Sequence, residues 1–309
     1  MRIDLHQHLL PSALLEALAA RESSPRFAGG TLHLPSEPSH QVEPTEHDPA
    51  QRLAEADRAG IDLLALSLSP SLGIDLLPPD QAHPLLETWT NCLTGWRGAH
   101  PGRFAIWAGT ALIEPDLPRL RRHLLLPGVL GLQVPAPALA DPDGVARLGE
   151  VLALCAELDR PVLVHPGPAV VPDGARLPSW WVPLTAYPAQ LAASWFAWHA
   201  AGVSEHPDLR IAFVALAGLA PLHHERLVAR GGRFRVHPNV FYETSSYGPR
   251  GIDALVRVVG VDGMLHGSDE PNARGSDPGL GEAFSHLLFS ANPARFLGPS
   301  LNEAKEALP

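Results

Sequence analysis

Short, apolar, β-branched runs recur along the 309 residues and alternate with stretches of helical period, which limits the architectures open to the chain more than any other feature. The runs are "RIDLHQ", "DLLALSLS", "FAIWAGTA", "VLGLQV", "PVLVHP", "RIAFVAL", "VFYETS" and "GMLHGSD", eight in all. Between them lie amphipathic stretches such as 48–60 and 141–160, each opening on Asp-Pro, the pattern of a helix N-cap followed by proline at the first helical position. Eight such alternations with no second block of different character predict a (β/α)8 TIM barrel. A hydrophobic content of 45% can fill one large core, so a single domain over 1–309 is expected. The 33 prolines and 27 glycines are spread throughout and punctuate short elements rather than mark a linker. Residues 23–49 are too long for an ordinary connection and form a candidate lid-like insert.

In such a barrel the active site forms at the carboxyl ends of the strands. Four strand ends are chemically loaded: the first with His6 and His8, the fifth with His165, the seventh with Glu243 and the eighth with Asp269. Side chains two apart on a strand leave the same face about 7 Å along. His6 and His8 can therefore converge on one point while Ile3 and Leu5 pack the other way, which is bidentate geometry for a metal. Together with His165 and Asp269 they make a nitrogen and oxygen set suited to Zn2+, with Mn2+ or Fe2+ as alternatives.

The formal net charge of −10 and the scattered arginines argue against a nucleic-acid partner. No run approaches the roughly 18 apolar residues of a membrane span, and the start has no signal-peptide pattern. Cys92 and Cys155 fall in helical stretches outside any C-x-x-C pattern, so neither a disulfide framework nor a zinc ribbon is expected, and the cytoplasm is the expected compartment.

Taken in order, "IDLHQH", "RLAEADRAGIDLLALS", "HPGRFAIWAG", "LDRPVLVHPG", "EHPDLRIAF", "HGSDEP" and "NPARFLG" resemble the amidohydrolase-related metal enzymes. The branch resembled is that of aminocarboxymuconate semialdehyde decarboxylase and the resorcylate-type decarboxylases, and the match runs from Ile3 to about Gly298. The resemblance implies one divalent metal on His6, His8, His165 and Asp269, with Asp269 also handling a proton. It implies non-oxidative decarboxylation of a small aromatic or conjugated carboxylic acid. Metal-dependent hydrolysis of an amide, ester or lactone uses the same ligands and stays open. Relatives are often dimers, which makes a homodimer the expected assembly.

One departure is sharp. Strand six of the family ends in a catalytic histidine followed by glycines, whereas the matching stretch "FVALAGLAPLHHERL" places Ala215 at that position. An alanine methyl can neither donate a hydrogen bond nor move a proton. His223, His224 or His237 could substitute, the chemistry could dispense with the group, or the chain could serve as a non-catalytic binding or partner subunit. His266 is expected to pack between barrel and helix, and Glu243, where relatives often carry a shorter acid, is a second catalytic candidate. For the substrate the candidates are Trp180 and Trp181 after strand five, and Arg250 and Arg274 after strands seven and eight, which could hold a carboxylate in fork geometry.

Overall fold

The computed structural model describes residues 1–172, 176–273, 275 and 277–305. Its main sheet has eight parallel strands in sequence order: β1 (Ile3–His8), β2 (Leu63–Ser67), β3 (Phe104–Ala108), β4 (Val129–Pro135), β5 (Val162–His165), β6 (Ile211–Phe213), β7 (Val240–Glu243) and β8 (Met264–Leu265). The alternation in the sequence thus corresponds to the predicted barrel. Every residue of β1 to β7 is buried, as expected of strands covered on both faces.

The ring is closed by main-chain bonds made beyond the end of β8. The Leu5 amide donates to the His266 carbonyl at 3.0 Å, the Asp269 amide to the His6 carbonyl at 2.8 Å and the His8 amide to the Glu270 carbonyl at 2.7 Å. β8 itself covers only two residues, so Asp269 stands on a turn rather than at a strand end, with φ of +60°. Asp is among the residues that tolerate the left-handed region. The Asp4 carboxylate supports the same seam, accepting from the Ser268 amide at 3.1 Å and from the Gln7 side-chain amide at 2.8 Å.

Both Asp-Pro signals start helices. Asp48 caps Pro49–Ala59 by accepting from the Ala50 amide at 2.9 Å, and Asp141 caps Pro142–Arg147 by accepting from the Gly144 amide at 2.7 Å. The second stretch is not one continuous helix: it breaks at Leu148 and resumes over Gly149–Glu157. Cys92 and Cys155 are both free and both on helices. The insert over 23–49 has structure of its own, an antiparallel sheet of Arg26–Ala28, Thr31–His33 and His40–Gln41 followed by a 3-10 turn over Pro44–His47.

Beyond β6 the backbone turns the wrong way for L-residues. Ala215, Leu216, Ala217, Gly218 and Leu219 have φ of +46°, +52°, +55°, +59° and +64°, a left-handed turn in which only one residue is glycine. Each non-glycine residue in that region costs about 1–2 kcal/mol. Packing holds the turn: Leu216 and Ala217 are fully buried, and the Ala215 amide donates to Glu243 Oε2 at 3.3 Å. At Gly218 a Cβ would also run into the Pro188 carbonyl of the helix Trp181–Ala197. Gly218→Ala is therefore expected to destabilise the protein by about 2 kcal/mol or more, since it adds a steric clash to an incompatible φ. Urea denaturation of the two proteins checks this.

Candidate metal centre

His6 and His8 reach one point because β1 is not regular. Asp4 pairs with Leu64 and Gln7 with Leu66, so two residues on β1, Leu5 and His6, oppose the single Ala65 on β2, and the irregularity lies at the strand segment that carries His6. β5 ends on His165, and the left-handed turn at Asp269 aims its carboxylate across the seam.

The four side chains converge, with one donor atom from each lying within 4.8 Å of all the others, about the span of one coordination sphere. His6 Nε2 stands 3.1 Å from His8 Nε2, and Asp269 Oδ1 is 3.1 Å from His8 Nε2 and 3.7 Å from His6 Nε2. The three imidazoles meet pairwise edge-on, with centroids 4.8–5.1 Å apart.

The outer nitrogens fix the tautomers. His8 Nδ1 is 2.9 Å from the Ser67 carbonyl and His165 Nδ1 is 2.9 Å from the Pro166 carbonyl, and a carbonyl can only accept, so both Nδ1 atoms carry the proton. His6 Nδ1 lies 3.3 Å from Glu243 Oε2 and donates to that carboxylate. Three bare Nε2 lone pairs and a carboxylate therefore face one another. Donors so arranged repel unless a cation lies among them, and the outer partners are those that orient metal-bound imidazoles. The residues fit a divalent metal.

The four groups also shift one another's titration. Burial opposes charge on His6, yet the bond to Glu243 and the charges of Asp269, Glu243 and Asp4 outweigh it and hold His6 above its ordinary value. For Asp269, burial pushes the pKa up, but the His8 hydrogen bond and the three imidazoles hold it well below the usual carboxylate range. Burial, with His6 and His8 next, drives His165 far below 6.5. Asp269 is the most open of the four, its side chain 20% exposed against 5% for His8 and 1% for His6.

Glu243 is wholly buried and touches the centre from outside, through His6. It accepts as well from the Ser245 amide, the Ser245 hydroxyl at 2.7 Å and the Ala215 amide. His266 behaves as a packing residue, its ring 4.2 Å from that of Phe289. None of the three candidate substitutes joins the four donors: His223 is exposed, His224 Nδ1 lies 3.1 Å from the Pro221 carbonyl, and His237 Nδ1 accepts from the Asn239 amide. Trp180 and Trp181 are exposed and pack on each other, with ring centroids 5.7 Å apart, where the helix Trp181–Ala197 begins. Arg250 is exposed on the helix Pro249–Val259, and Arg274 lies outside the described residues.

The amidohydrolase family model matches residues 3–298. This chain belongs to the amidohydrolase family. Among solved structures, this amidohydrolase is similar to the apo form of IDCase from Metarhizium anisopliae, with TM-score 0.78, 18% identity and 98% of each chain covered. It is also similar to 2,6-dihydroxybenzoate decarboxylase from Rhizobium, with TM-score 0.72 and 18% identity over 96% of this chain and 98% of that one. A third is 5-carboxyvanillate decarboxylase from Novosphingobium aromaticivorans, a D314N mutant with bound manganese, with TM-score 0.70 and 16% identity over 96% and 97% of the chains. At these identities the likeness bears on fold, which is the barrel described above. No helix among the described residues is long and apolar enough to cross a membrane.

Several groups around the centre carry no motif. Glu37 of the insert accepts from the Tyr187 hydroxyl at 2.7 Å and the Ala169 amide at 2.9 Å, just past His165. Burial raises Glu37, and burial, Glu37 and the Asp269 charge together raise Tyr187. Gln190 holds the same loop, accepting from the Gly167 amide at 2.8 Å. Their sequence signal is weak because each is a lone polar residue whose partner is distant along the chain. For the four donors the expected outcome is direct: His8→Ala lowers bound zinc or manganese in the purified protein to a small fraction of the wild-type amount, as elemental analysis would read. Unchanged occupancy would remove His8 from the set.

Proposed function

We propose that this amidohydrolase is a metal-dependent decarboxylase of a small aromatic or conjugated carboxylic acid. The observation that carries the proposal is the donor set itself: three bare imidazole nitrogens and one partly open carboxylate, His6, His8, His165 and Asp269, converging where the barrel strands end. The decarboxylases among the structures of similar fold support the choice of reaction. Zinc suits the nitrogen-rich donors, and manganese is the alternative favoured by the ion bound in the carboxyvanillate decarboxylase. The chain 1–309 works as a single barrel domain, with the insert over 23–49 as its lid. A homodimer in the cytoplasm belongs to the same proposal and rests on the family resemblance and composition.

His6, His8, His165 and Asp269 would hold a divalent metal, which would supply Lewis acidity toward an anionic substrate. Asp269, ionised in the free protein and the most open of the four donors, takes up a proton from solvent once substrate is bound and relays it to the ring or alkene carbon bearing the carboxylate. The bond to the carboxylate carbon then breaks, its electron pair returns to the ring or alkene, and CO2 leaves. Glu243 keeps the His6 proton on Nδ1 so that Nε2 stays free for the ion. Trp180, Trp181 and Arg250 remain candidates for the substrate's outer contacts, as does Arg274, which lies outside the described residues.

The test is CO2 release from a panel of hydroxybenzoates by the zinc- or manganese-loaded protein, beside hydrolysis of amides, esters and lactones. Turnover of the second group alone would favour hydrolysis. Asp269→Asn is expected to retain a large share of the metal while turnover falls by about 10²–10⁴-fold, the usual contribution of a general acid or base. Equal loss of metal and turnover would leave Asp269 a ligand only. Stoichiometric metal with no turnover on any panel member would favour the binding subunit that Ala215 suggests. In Ala215→His the added imidazole is expected to occupy substrate space and weaken binding; a gain in turnover on a family substrate would show instead that an ancestral activity had been lost.

A further inference from the structure

Arg52 is a charged side chain only 2% exposed that hydrogen-bonds to none of the four ligating side chains, yet grips the backbone of His8 and of Glu270, the residue after Asp269. It sits on the helix Pro49–Ala59, directly after the insert. One terminal nitrogen donates to Gln7 Oε1 at 3.0 Å, to the His8 carbonyl at 3.3 Å and to the Glu270 carbonyl at 3.2 Å. The other donates to the Glu46 carbonyl, in the last turn of the insert. The carboxylates of Glu55 and Glu270, 3.9 and 4.0 Å from Nε, balance its charge.

These acceptors come from three separate pieces of chain: the end of β1, the turn that follows Asp269, and the insert. The first two are already joined by the bond from the His8 amide to the Glu270 carbonyl, so the guanidinium lies on the junction between two metal donors. A buried arginine is destabilising unless its donors are matched; here the two terminal nitrogens are matched by three main-chain oxygens and the Gln7 side-chain oxygen, while Nε makes no hydrogen bond and has only the Glu55 and Glu270 carboxylates near it. The fork places one nitrogen on the β1–Glu270 junction and the other on Glu46, whereas a lysine ammonium is a single nitrogen that can take one of these places but not both.

We infer that Arg52 is a positioning residue that couples the seat of the insert to the backbone carrying His8 and Asp269, and so sets the affinity of the centre for a divalent ion. The inference rests on the proposed metal site. Outer partners of metal ligands typically change affinity by about 10–100-fold when removed. Arg52 acts one step further out, through the main chain, and the coupling runs both ways: an ion in the centre should tighten the insert, and a loosened insert should weaken the ion.

The experiment compares wild type, Arg52→Lys and Gln7→Met by chelator competition for Zn2+ and Mn2+, by limited proteolysis within 23–49 with and without the ion, and by melting of the metal-free proteins. In wild type the ion should slow cleavage of the insert. Arg52→Lys should melt within a few degrees of wild type without metal, bind the ion about 10-fold or more weakly, and lose the ion's protection of the insert. Gln7→Met, which keeps the charge but removes one acceptor of Arg52 together with the side-chain donor to Asp4, should weaken binding less, by a few-fold. A folded Arg52→Lys protein with affinity within two-fold of wild type would overturn the inference. If that variant does not fold, unchanged affinity in Gln7→Met overturns it equally. Wild type that holds no ion, or an affinity indifferent to His8→Ala, would bring down the metal site itself and the inference with it.

Discussion

Three main-chain hydrogen bonds between the first strand and the segment after the last shut the barrel, and everything functional hangs on them. The Leu5, His8 and Asp269 amides make these bonds, so closing the ring and placing the ligands are one event. His6 accepts from the Asp269 amide through its carbonyl while its ring faces the Asp269 carboxylate, which leaves the two donors little freedom relative to each other. The buried carboxylate of Asp4 and the guanidinium of Arg52 brace this seam from its two ends.

Around that seam the chain arranges protons rather than charges. Two backbone carbonyls and one carboxylate each hold an N–H on the outer side of a ring, and the inner nitrogens are left bare by default. The arrangement depends on burial: in water any of these rings would exchange tautomers freely, whereas inside the barrel an unmatched N–H would carry a desolvation penalty of about 1–3 kcal/mol. The inward-facing lone pairs follow from what the outer shell will accept.

The eight strands, the two Asp-Pro helix starts and all four converging donors were legible in the sequence, because each depends on a local pattern: alternation, a cap, or a polar residue at the end of an apolar run. What was not legible depends on pairing at a distance. Nothing around Arg52 distinguishes it from the other arginines on helices, and Glu37 finds Tyr187 only after the insert folds across the loop beyond His165. The shortness of β8 was hidden because "GMLHGSD" keeps a strand-like composition while its backbone bonds pass to β1 through the turn. The insert read as loop since three strands of two or three residues are too short to show a period. The left-handed turn was the least visible of all: "ALAGL" carries one glycine, and what holds the other four residues there is distant in sequence, the helix Trp181–Ala197 packed against the turn and the Glu243 carboxylate on the Ala215 amide.

The donors His6 and Asp269 lie nearly the whole chain apart, and this bears on how the protein is made. A ribosome releases the H-x-H pair first and the aspartate only after seven further strands have been synthesised. Long-range pairings of this kind form slowly and late. The four donors therefore cannot all be present on a chain that stops before Asp269, and such fragments would be poor competitors for a divalent ion. Uptake of an ion at the proposed centre would mark a chain made at least that far.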